Sequence, residues 1–118
     1  MTYEEAVAQL TAPGAPFEVE VEHRDGRTVK NFKNRERSLR EKIANAGERG
    51  DAVCMVHGER RITYRDMMRR VWGAAHGLEA HGFRPGERIA ILAYNSPDWL
   101  MALFGATSAG GIAVGLNG

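Results

Sequence analysis

Two apolar segments, Arg88 to Ala93 and Ile112 to Leu116, flank one well-capped helix. That order constrains the chain more than any other feature. Asn95-Ser96-Pro97 opens the helix. Ser96 can cap it, and Pro97 takes the first helical position, where a missing N–H costs nothing. Gly110-Gly111 ends it after about Ala109. Strand, helix, strand in that order makes the two strands parallel, joined by a right-handed crossover. Arg88 to Ala93 reads Arg-Ile-Ala-Ile-Leu-Ala, without clean alternation, as in strands buried on both faces. Parallel strands need neighbours and helical cover on both faces. The 118 residues offer few strands, and the last apolar segment runs almost to Gly118. The expectation is the front of a larger α/β domain whose sheet is incomplete.

The same region tests the soluble reading. Trp99 to Leu116 is 18 residues without a charge, the lower edge of a membrane span. Gly105, Gly110, Gly111 and Gly115 dilute it, and no Lys or Arg follows to anchor an orientation. A buried helix followed by a buried strand accounts for the run better, so no transmembrane segment is expected. The overall composition is globular, with 43% hydrophobic and 26% charged residues. Sixteen Lys+Arg against fifteen Asp+Glu leave a net charge of +1, with no global pull toward nucleic acid or acidic lipid. Cys54, the single cysteine, excludes an internal disulfide and a Cys-rich zinc site. Met1 to Glu5 is acidic where a secretory signal would be basic, which makes the cytoplasm the expected location.

Upstream, the pattern predicts smaller pieces. Residues 2–12 read as a helix with Thr2 and Glu5 at capping-box spacing, stopped by Pro13-Gly14-Ala15-Pro16. Residues 17–32 read as a hairpin: Phe17, Val19 and Val21 alternate with Glu18, Glu20 and Glu22, and Asp25-Gly26 suits a type I′ turn. Glutamates on one strand are expected to pair with Arg27 and Lys30 on the other. Residues 35–47 predict a second helix with Leu39, Ile43 and Ala46 on one side. Residues 52–56 predict a strand, turned at His57-Gly58-Glu59 into a short return. Thr63 then caps a long helix whose stripe is Met67, Val71, Ala74, Ala75 and Leu78, ending at Gly82. Two regions are expected, 1–50 and 51–118.

Few residues carry a chemical signal. Gly105 to Gly111 has the glycine spacing of a phosphate loop, but Gly111 stands where its Lys belongs, and the segment leads from helix to strand rather than the reverse. His23, His57, His76 and His81 show no metal spacing with Cys54, which sits in an apolar strand as an inert thiol. Tyr94 to Pro97 lies at the C-terminal end of a strand, where α/β proteins place ligands, although capping and loop support explain Asn95 and Ser96 more simply. The basic stretch from Lys30 to Lys42 is interrupted by Glu36 and Glu41 and reads as a solvated face rather than a nucleic-acid site.

Four segments in order resemble the adenylate-forming enzymes, the superfamily of acyl-CoA synthetases, luciferases and peptide-synthetase adenylation domains. Ile62-Thr63-Tyr64-Arg65-Asp66-Met67 is similar to their Leu-Thr-Tyr-x-Glu-Leu motif. Leu78, Gly82 and Pro85-Gly86-Glu87-Arg88 follow "AxxLxxxGxxPGDR". Ile91 to Trp99 follows "VAILLPNSPEW", and Ser108 to Asn117 follows "KAGAVxVPLN". Residues 52–118 are covered. Gly115 stands where the family usually has Pro, Asp66 replaces Glu and Ser108 replaces a common Lys; these positions bear on subfamily rather than fold.

The resemblance implies the partial N-terminal domain of an ATP-dependent acid–CoA ligase, with a fatty acid the expected substrate. Such enzymes adenylate a carboxylate, release pyrophosphate and pass the acyl group to coenzyme A, with Mg²⁺ accompanying ATP. The family's phosphate loop, ribose-binding acid and late catalytic Lys lie downstream of its second core motif. No catalytic, cofactor-binding or metal residue is therefore carried onto this chain, which is expected to be inactive alone and to bind none of these cofactors. The alternatives are another adenylate-forming enzyme such as an aryl-CoA ligase, and a self-standing dimeric interaction module using the 17–32 hairpin. A homodimer through the first 50 residues is left open.

Overall fold

The computed structural model describes residues 1–116. It divides into two compact units, Met1–Glu36 and Arg37–Gly118.

In the first unit, α1 (Tyr3–Thr11) starts where the capping box predicts. The Thr2 hydroxyl accepts the Glu5 N–H at 3.2 Å, and the Glu5 carboxylate accepts the Thr2 N–H at 2.7 Å. Strands β1 (Val19–Arg24) and β2 (Arg27–Phe32) form the hairpin. Asp25 and Gly26 both take positive φ, 49° and 73°, as a type I′ turn requires. The register corrects the expected cross-strand pairs. Lys30 faces Val21, and Arg27 faces Arg24. The glutamates are paired instead from beyond the hairpin. Lys33 bonds Glu18 at 2.8 Å, and Arg35 bonds Glu20 at 2.9 Å and also holds Glu22. Arg35 thus lies along the carboxylate row and half-buries it, while Phe17, Val19, Val21 and Phe32 stay exposed. The polar face of this hairpin is the covered one.

The second unit opens with α2 (Leu39–Ala46), which starts four residues later than predicted. Ser38 caps it by accepting the Glu41 N–H at 3.1 Å, and the Glu41 carboxylate takes the Arg37 N–H at 2.6 Å. One 3₁₀ turn, Gly47–Arg49, leads to the antiparallel pair β3 (Val53–His57) and β4 (Arg60–Thr63). Helix α3 (Tyr64–Ala80) follows, with the Thr63 hydroxyl accepting the Asp66 N–H. Strand β5 (Arg88–Leu92), helix α4 (Pro97–Ser108) and strand β6 (Ile112–Leu116) complete it, and β5 pairs parallel to β6. Among the described residues there are three separate two-stranded sheets.

The core gathers where α3, α4 and α2 meet. Ile43, Ile62, Met67, Met68, Val71 and Met101 are buried together. Gly105 permits the closest approach of α4 to α3: a Cβ there would lie 2.6 Å from the Ala74 Cβ. Strands β5 and β6 depart from the sequence reading. Of β5 only Ile91 is buried, and Leu92 is 67% exposed; Ile112, Val114 and Leu116 are also exposed. Among the described elements α4 packs on this sheet, so its strands are not covered on both faces. The uncharged run is split as predicted, into a 12-residue helix and a strand, and no described helix is long and apolar enough to cross a membrane.

Candidate functional site

The corner between β5 and α4 is where a parallel pair offers a ligand site. A cavity of about 360 Å³ opens there, lined by Met55, Val56 and His57 of β3 and by Asn95, Ser96, Pro97, Trp99 and Leu100. Ser96 is committed to structure, because its hydroxyl accepts the Trp99 N–H at 3.2 Å. Tyr94, grouped with these residues from sequence, is 92% exposed and lies outside the lining. The contribution of β3 was not legible in the sequence, because it depends on a contact between segments about forty residues apart. A second cavity of about 350 Å³ shares Met55 and Leu100 with the first and runs between α2, β3, α3 and α4, past Ile43, Tyr64 and Phe104.

Both walls are mostly apolar, and the charges nearby are spent on fixing elements. Asp98, in the first turn of α4, lies 3.4 Å from Arg70 of α3 and 3.8 Å from Arg60 of β4. Its position also suits the positive end of the helix. Arg65 grips Asp51 through two bonds of 2.7 and 3.1 Å, which hold that carboxyl below its ordinary range. Arg49 donates to the Tyr64 hydroxyl at 2.7 Å.

Other residues singled out in the sequence are placed as follows. Cys54 donates its S–H to the Ile62 carbonyl at 3.2 Å, and burial pushes its thiol above the ordinary value, away from the reactive thiolate. His57 lines the first cavity, His76 sits beside Glu79, His81 bonds the Gly77 carbonyl and His23 sits beside Thr28. Among the described residues no three His, Cys, Asp or Glu side chains come together as metal ligands.

The glycines near residue 110 are shaped by packing. Gly110 has φ +80°, and a Cβ on Gly111 would lie 2.4 Å from the Phe83 ring. The Gly110 N–H bonds the Thr107 carbonyl and the Gly111 N–H bonds the Ala106 carbonyl. Donors used in this way do not cradle a phosphate, so these residues do not fit ATP. Gly115, in the position where Pro is usual, lies with a hypothetical Cβ 3.4 Å from Trp99, an ordinary contact. Of the basic stretch, Lys33 and Arg35 are paired with the hairpin glutamates, and Arg40 stacks over Trp72.

The arrangement is a scaffold with an open, mostly apolar cavity. Comparison with known proteins places it. The AMP-binding enzyme family matches residues 43–118. A feruloyl-CoA synthase of an Amycolatopsis species is 44% identical over 66 residues, 56% of this chain and 13% of the relative. A medium/long-chain-fatty-acid–CoA ligase of Mycobacterium tuberculosis is 35% identical over 72 residues, 61% of this chain and 12% of the relative. Among solved structures, Klebsiella oxytoca NpsA in complex with 3-hydroxyanthranilyl-AMSN superposes with a TM-score of 0.67 at 21% identity, covering 70% of this chain and 17% of that one. The chain thus spans about an eighth of the length of the curated relatives it matches.

Proposed function

Because the chain belongs to the AMP-binding enzyme family, we propose that it supplies the N-terminal scaffold of an ATP-dependent, AMP-forming acid–CoA ligase. Its α/β fold is that of the N-terminal subdomain of adenylate-forming enzymes. In this reading ATP, Mg²⁺, CoA and a carboxylic acid are partners of the whole enzyme, which works in the cytoplasm. The 118 residues contribute no catalytic side chain and are inactive alone. Their part is mechanical: the α3–α4 core fixes the β5–β6 pair, and Asp98 with Arg60 and Arg70 ties the mouth of the crossover helix to its neighbours. The observation that carries the reading is the continuous family match over residues 43–118, which includes all four motifs in order.

The acid is an apolar monocarboxylic acid. The sequence reading favoured a fatty acid, and the relative from Mycobacterium tuberculosis supports it. An aromatic acid is the second reading, supported by the higher identity to a feruloyl-CoA synthase. The test is acid-dependent ATP–pyrophosphate exchange by the complete product of the reading frame that holds this chain. Exchange should appear with either palmitate or ferulate, and that choice decides between the two acids. No exchange with any aliphatic or aromatic acid would refute the ligase assignment.

A further inference from the structure

The first unit contains no buried residue; every side chain from residue 1 to 36 is exposed or half-exposed. So short a unit gains little from burial among its own side chains.

The unit presents two apolar surfaces of opposite electrostatic character. On α1, Tyr3, Val7 and Leu10 form an exposed stripe at i, i+4, i+7 spacing. That helix carries Glu4 and Glu5 in its first turn and no basic residue in its last. On the hairpin, Phe17, Val19, Val21 and Phe32 share one face, with the Phe17 and Phe32 rings 5.9 Å apart. Lys30 and His23 lie on this face, whereas the strand alternation sends Glu20 and Glu22 to the other. A hollow of about 190 Å³ opens here beside Val19, Lys30 and Phe32. Tyr3 is 84% exposed, Val21 58% and Phe17 52%. At roughly 150–250 Å² for a whole aromatic and less for the aliphatics, the two surfaces leave on the order of 600 Å² of apolar area in water. A stable interface takes about 800 Å² per partner, of which roughly 500 Å² is apolar.

We propose that residues 1–36 are a homodimerisation unit in which the acidic, amphipathic α1 of each copy lies across the apolar, basic hairpin face of the other. A two-fold axis makes both contacts at once and closes the assembly. The area matches what a dimer needs, and the charges of helix and hairpin face are complementary. This inference is independent of the ligase reading, since it concerns a surface that the family match does not include.

Sedimentation velocity across a dilution series of the 118-residue chain tests it. The expected result is a reversible monomer–dimer equilibrium. Val7→Lys on the helix and Val21→Lys on the hairpin should each raise the dimer Kd at least about tenfold, and Val114→Lys on β6 should leave it unchanged. A Glu4→Lys chain mixed with a Lys30→Glu chain should form heterodimers tighter than either homodimer, a rescue that damaged folding does not produce. A chain still monomeric at roughly 100 µM, a dimer indifferent to both valine variants, or a dimer lost with Val114→Lys would each overturn the proposal.

Discussion

The two compact units solve the problem of ordering a chain in opposite ways. In residues 37–116 the apolar stripes of α2, α3 and α4 face one another, and Val71 and Met101 are removed from water. In residues 1–36 the hydrogen bonds are local: a capping box, a type I′ turn and three carboxylates held by Lys33 and Arg35. Exposed ion pairs contribute little each, typically under about 1 kcal/mol, whereas a fully buried aliphatic side chain contributes about 1.5–3 kcal/mol. The difference shows that good local signals define a shape without making it stable. The second unit buries a core of its own, and the first buries no residue.

That contrast can be broken where the core is densest. Met101→Ala should cost the second unit about 3 kcal/mol, because the side chain is 4% exposed and its removal leaves a cavity. Trp72 and Trp99, the chain's two tryptophans, both lie in that unit, so urea denaturation followed by their fluorescence reads it alone. Gly105→Ala should cost a net of about 1–2 kcal/mol in the same assay. The new methyl forces α3 and α4 apart at Ala74, and this outweighs the roughly 1 kcal/mol that alanine gains in helix propensity.

A smaller effect has the opposite sign. Ser108 is 1% exposed, and its hydroxyl has no hydrogen-bond partner among the described residues. Ser108→Ala should stabilise the second unit by about 1 kcal/mol, seen as a higher urea midpoint. The packing of α4 here leaves no exposed surface at this position for a longer side chain.

The smallest effect belongs to the first unit and is driven by pH. The Lys33 ammonium and then the Gly14 N–H hold Glu18 below its ordinary 4.5. Its contribution is complete above that value and is lost as pH falls through the lowered one. The Glu18 bond in turn raises Lys33 above 10.5, so the lysine's contribution is complete below 10.5 and is lost as pH rises through the raised value. The Gly14 amide, which donates to the Glu18 carboxylate, should therefore shift in a two-dimensional NMR titration only once the pH is below 4.5, and Lys33→Met should move that change to higher pH. A Gly14 midpoint that Lys33→Met leaves unchanged would show that the lysine is not what lowers Glu18.

Much of this was readable from residues alone. Thr2, Ser96 and Thr63 each cap the helix their spacing announces, and Asp25-Gly26 makes the turn its composition announces. These are interactions within four residues, where local chemistry decides. The misses are non-local. Alternation in β1 says that two faces differ, but not which one is covered, and Arg35 settled that from three residues past the strand pair. Apolar β5 reads as buried on both faces, although among the described residues α4 lies against its sheet and Leu92 is exposed. The start of α2 moved because Ser38, three residues past the predicted start, caps the helix. At the candidate site, Ser96 and Pro97 were legible from the strand–helix junction, while Met55, Val56 and His57 arrive through the fold.

Amide hydrogen exchange of the 118-residue chain, recorded at two concentrations, tests the division of labour most directly. The account predicts slow exchange in α3, α4 and β5 at both. The β1–β2 amides should exchange close to the free-peptide rate in dilute solution and become protected as the chain is concentrated. Hairpin amides as protected as those of α3 in dilute solution would contradict it, because the first unit would then be stable without any partner surface.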